Sequence, residues 1–137
     1  MSSKQRFLVS TGVGAAVALV SVLPVPAKSG HASVQSVTVT VSKVKEFHFT
    51  LSKSALKRGI VAFKLVNGGN LPHDFKMCSS NKGSITANSC TGRGTPVISP
   101  GTTNTLRVTF ARAGTYEYLC TVPGHAAAGM KGLVKVS

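Results

Sequence analysis

From residue 33 onward, apolar and polar side chains take turns with a period of two, the signature of β-strands with one dry and one wet face. Val37, Val39 and Val41 alternate with Thr38, Thr40 and Ser42. Phe47 and Phe49 flank His48, which this alternation turns to water opposite the core. Residues 60–66 predict another strand, closed by the turn-forming run Asn67-Gly-Gly-Asn70. Leu106, Val108 and Phe110 alternate with Arg107 and Thr109, and Gly114 marks a turn. Tyr116, Tyr118 and Cys120 share one face of the next strand, and residues 133–136 supply a closing one. Residues 54–59 read as a single helical turn ended by glycine, and the polar stretch 78–101 as loop. The charged fraction is 14% and tryptophan is absent, a composition that excludes a charge-laced coiled coil. About seven short strands in one domain over residues 34–137 predict an all-β, antiparallel sandwich or barrel.

The residues ahead of this run read as an address. Lys4 and Arg6 precede a mostly apolar stretch over residues 7–23, and Pro24 and Pro26 end any helix there. Small residues around Pro26 offer a cleavage point, and Gly30-His31-Ala32 offers a second. The layout predicts a signal peptide over residues 1–27, with cleavage as late as residue 32, and export to the periplasm or the exterior. The competing reading is an uncleaved membrane anchor; without it no stable membrane insertion is expected. Losing Lys4 and Arg6 lowers the +13 of the whole chain by two, to +11. Such a charge accelerates encounter with acidic surfaces. The basic residues are dispersed and not interleaved with aromatics, so nucleic acid is not an expected partner.

Three cysteines is an odd number, so at least one has no partner within the chain. Cys120, His125 and Met130 stand at equal intervals of five, around Pro123 and Gly124. Those two residues prevent a helix, so the segment must be a loop between strands that curls its side chains around one centre. His73, in Asn70-Leu-Pro-His-Asp-Phe75, is the natural fourth donor. Two imidazoles, one thiolate and a weak thioether form the donor set of a blue-copper site. Zinc prefers four strong N, S or carboxylate donors, and a thioether is not among them. Taken singly, each residue also has a plain structural reading, as a buried thiol or a core histidine. His48 and Met77 are expected to be a solvent-facing residue and a gap-filling core residue.

The run Gly114-Thr-Tyr-Glu-Tyr-Leu-Cys-Thr-Val-Pro-Gly-His125, followed by Met130, resembles the copper loop of the cupredoxins, the plastocyanin and azurin family. Pro72-His73 with its following polar and apolar residues is similar too, as is Leu106-x-Val-x-Phe110. The resemblance implies a Greek-key β-sandwich with one type 1 copper ion held by His73, Cys120, His125 and Met130. It implies a carrier of single electrons, Cu(I)/Cu(II), not an enzyme; the positive charge leads to redox partner proteins with acidic surfaces as expected partners, and the chain is expected to act as a monomer. Asp74 stands where many family members have Asn, and implies a side chain that braces the copper loop from behind the ligands. Tyr116 resembles the corner tyrosine of Greek-key sandwiches. With Cys120 on the metal, Cys78 and Cys90 are left to pair as a disulfide, which suits an oxidising compartment; free thiols there are the alternative. Two rival functions remain: a redox-silent copper carrier delivering metal to an extracytoplasmic oxidase, and a fragment of a multicopper enzyme. The second needs another His-rich site, and only His31 and His48 are left over.

Overall fold

The computed structural model describes residues 33–137. The expectations for the signal peptide, its cleavage point and His31 therefore lie outside the described residues. Within them the chain forms nine strands: β1 (Gln35–Ser42), β2 (Lys45–Leu51), β3 (Ala55–Leu56), β4 (Gly59–Gly68), β5 (Lys76–Cys78), β6 (Gly92–Gly94), β7 (Thr103–Phe110), β8 (Gly114–Leu119) and β9 (Lys131–Val136). They build two sheets, ordered β2-β1-β4-β7 and β3-β9-β8-β5-β6. The chain crosses between the sheets after β2, β3, β4, β6 and β7, so the two sheets form the sandwich that the alternating pattern and the Greek-key resemblance imply.

The alternation reports the core directly. Val37, Val39 and Val41 of β1 and Val61, Phe63 and Leu65 of β4 are fully buried, facing Tyr116, Tyr118, Val134 and Val136 from the other sheet. Phe75 joins the layers, its ring 5.3 Å from those of Phe49, Phe63 and Tyr118. Burying such side chains contributes about 1.5–3 kcal/mol each. Met77 is also core, at 2% exposure. Tyr116 donates its hydroxyl to the Arg112 carbonyl at 2.9 Å, as a corner tyrosine does.

Three local expectations need correction. Residues 54–59 are not a helical turn: Ala55–Leu56 is a short strand, parallel to β9. Burial of Leu56 against the sandwich and the bonds from the Lys135 and Ser137 amides to Ser54 and Leu56 outweigh local helix preference. Pairing is antiparallel for five strand pairs, but β1–β4 and β3–β9 are parallel. Side-chain alternation fixes faces and carries no information on strand direction; the parallel pairs arise because the chain visits the opposite sheet in between. Finally, Phe47 is not on the buried face. It is 40% exposed, while Phe49 is buried, because the β1–β2 register breaks between Thr40 and Ser42.

Candidate metal centre

Three pieces of chain meet at one end of the sandwich. The first is the β4–β5 connection. Asn67 is fully buried at the end of β4; its amide donates to the carbonyls of Leu71 (2.9 Å) and Ile98 (3.1 Å), and its Oδ1 accepts from the Gly69 amide. This internal scaffold aims the turn. His73 then exchanges backbone hydrogen bonds with Ile98 and places a fully buried ring in the interior. Asp74, 5% exposed, accepts from the Thr121 amide at 2.6 Å and from the Thr121 hydroxyl. That carboxylate ties the first piece to the second.

The second piece is the β8–β9 connection, which opens at Cys120 and ends at Met130. It closes on itself: the Cys120 amide donates to the Met130 carbonyl and the Met130 amide to the His125 carbonyl, both at 3.0 Å. Gly124 (φ +84°) and Gly129 (φ +111°) take left-handed turns that cost a residue with a Cβ about 1–2 kcal/mol. The result buries Cys120, His125 and Met130 together, while Pro123, Gly124, Ala127 and Ala128 stay exposed.

The donor atoms converge. Nδ1 of His73 lies 3.1 Å from Nδ1 of His125, and the Cys120 Sγ lies 4.0 and 3.6 Å from them. A point about 2.1 Å from all three atoms exists in their plane, within the range of metal–imidazole and metal–thiolate bonds. Among the described residues, His73, Cys120 and His125 are the group whose donors lie close enough to share one ion. Met130 is fully buried in the same apolar cluster as Cys120. Burial, then the neighbouring His73, hold the His125 imidazole below its ordinary range. Burial pushes the Cys120 thiol up to about 11, with the Asp74 and Val122 backbone amides working the other way. A metal ion therefore has to displace the thiol proton.

The third piece is the start of β2, where the sequence pattern suggested no functional residue. The Glu46 carboxylate accepts from Nε2 of His73 (2.9 Å) and from the backbone amides of Asn70 (2.9 Å) and Leu71 (3.0 Å). Burial works to raise its pKa; the hydrogen bonds from His73, Asn70 and Leu71 outweigh that and hold it at about 2. The ring of Phe47 stands edge-on to His125, with centroids 5.1 Å apart. In a chain with three acids, the placement of Glu46 beside a predicted strand was the one available signal.

Cys78 and Cys90 form a disulfide. It packs with Leu119, just ahead of the ligand loop, and with Ala126 in the middle of that loop. A bridge of this kind fits an extracytoplasmic protein. His48 is exposed.

A two-sheet sandwich with two imidazoles, a thiolate and a methionine buried at one end is a single-copper protein of the type 1 kind, since soft and borderline donors in this combination suit copper in both oxidation states. The chain belongs to the plastocyanin/azurin family of copper binding proteins, whose pattern matches residues 33–137. It is similar to the copper-resistant cuproprotein CopI of Rubrivivax gelatinosus, with 29% identity over 120 residues covering 80% of this chain and 72% of that protein. Among solved structures it resembles auracyanin A, a blue copper protein of Chloroflexus aurantiacus: TM-score 0.55, 22% identity, 77% of this chain and 100% of that one. Rusticyanin from Thiobacillus ferrooxidans aligns with a TM-score of 0.51 and 25% identity, over 76% of this chain and 77% of that one.

Proposed function

We propose that this protein is an exported one-electron carrier, with His73, Cys120, His125 and Met130 as the ligands of one copper ion. Copper held by this set supplies a reversible Cu(I)/Cu(II) couple. The observation that carries the reading is enclosure. Every donor is buried, and the loop that brings three of them is bonded end to end and pinned through Asp74. A centre so fully surrounded by protein leaves no position for a substrate, unlike a catalytic metal with an open site. A rigid donor set also suits electron exchange, because little has to move when the charge changes.

The two imidazoles are not equivalent. His73 is fully buried, whereas His125 is 7% exposed, stands in the chain among the exposed Pro123, Gly124 and Ala127, and has the edge of the 40% exposed Phe47 against it. Small, uncharged neighbours let a partner approach His125 without stripping water from charges. The basic surface beyond them supports partners with acidic faces.

A second reading has its own support. A relative is named a copper-resistant cuproprotein, and binding copper for sequestration or delivery uses the same donors. Copper titration of the purified protein separates these readings. Electron carriage predicts an intense thiolate-to-copper band in the visible and a fast, reversible voltammetric wave. The band disappears in Cys120→Ser and persists in Met130→Leu with a raised potential. Rapid loss of copper to chelators with no reversible wave overturns carriage in favour of delivery; no band in the wild type overturns the copper site itself.

A further inference from the structure

We propose that Glu46 is a positioning residue of the metal centre: its carboxylate fixes His73 as an Nδ1 donor, and its negative charge biases the centre toward the oxidised ion. The inference rests on the copper reading above and goes beyond it, because Glu46 touches no donor atom. A carboxylate can only accept hydrogen bonds. Its contact with Nε2 of His73 therefore requires the proton on Nε2 and leaves the lone pair on Nδ1, the atom that faces Cys120 and His125. The backbone amides of Asn70 and Leu71 converge on the same group, so it is held on three sides in its ionised form. The chain also makes room for it. A Cβ on Gly69 would overlap the carboxylate where it now lies, so glycine leaves that position open to it.

Two consequences follow from this geometry. The fully buried His73 ring cannot flip without leaving its Nε2–H unpaired, nor change tautomer without turning a bare Nε2 lone pair toward the carboxylate. And a fixed anion, one imidazole away from the ion, stabilises the doubly charged state more than the singly charged one. Partners placed behind a metal ligand in this way commonly change affinity 10–100-fold when removed. The loss here falls mainly on Cu(II).

The test uses the full protein with Glu46→Gln, which keeps size and an acceptor but removes the charge, and Glu46→Ala, which removes both. In the copper-loaded Gln variant the visible band remains, and the ratio of Cu(II) to Cu(I) affinity falls about tenfold, read as a rise in potential of about 59 mV. A change below twofold overturns the electrostatic role. In the metal-free protein, nitrogen-15 NMR finds the His73 proton on Nε2, protected from exchange, and Glu46→Ala loses that protection. Unchanged protection overturns the positioning role. Should the Ala variant fail to fold, the wild-type spectrum decides the positioning role, which a His73 proton on Nδ1 or an unprotected Nε2 proton overturns. A wild-type protein without the visible band overturns the copper reading instead, and the metal-free measurement still judges Glu46.

Discussion

A buried thiol that titrates near 11 has to lose its proton before it becomes a ligand. Each copper ion bound at Cys120 at neutral pH therefore releases one proton. Apparent affinity climbs about tenfold per pH unit through the neutral range, provided the imidazoles are already neutral. His125 meets that condition more easily than a free histidine, since burial and His73 depress its pKa. Competition titrations at three pH values between 6 and 8 check the slope; a flat profile contradicts it. At this scale the sequence was legible where donors are close in the chain. Cys120, His125 and Met130 announce themselves by spacing, and His73 by its Pro-His-Asp context. Glu46 did not, because its partner is 27 positions away and only the folded sandwich brings them together. Phe47 was misplaced for a related reason: alternation assigns faces along a regular strand, and β2 slips register just where it reaches the centre.

The elements show the same division. Long strands with sustained alternation, such as β1, β4 and β7, were readable because burial on one face dictates the pattern. The short β3, β5 and β6 were not, since two or three residues carry no period. The long polar segment expected as loop holds β6 and also lies along β8: the Gly83 amide bonds the Thr115 carbonyl, and Lys131 reaches Ala87 and Asn88. The Cys78–Cys90 bridge anchors this segment at its base. Replacing both cysteines by serine lowers the unfolding free energy by about 3 kcal/mol in the chain-entropy picture. Denaturant titration of the metal-free protein measures it, and an unchanged midpoint contradicts it. Because the bridge packs on Leu119 and Ala126, the same variant tests whether the ligand loop keeps its shape unaided. A retained visible band means that the loop's own hydrogen bonds suffice.

The whole molecule carries its charges in an unusual division. The three acids are withdrawn to different degrees: Asp74 is buried beneath Thr121, Glu117 is buried with one oxygen unpaired, and Glu46, its side chain 14% exposed, is bound to His73. None of the three is fully exposed to offset the lysines and arginines. A small anionic oxidant such as a hexacyano complex should therefore collect electrons from the reduced protein faster than a cationic one of similar driving force. That advantage shrinks as salt rises. Stopped-flow rates at two ionic strengths check this, and the reverse order contradicts it. The charge division was only half visible beforehand: composition gives the excess of cations, but which charges end up inside depends on contacts between distant segments.

Only one of the two imidazoles reaches the outside. On the carrier reading, a donor and an acceptor that both approach through His125, beside Phe47, compete for one place. For such partners turnover is bounded by how fast the first departs, and an excess of either one obstructs the other.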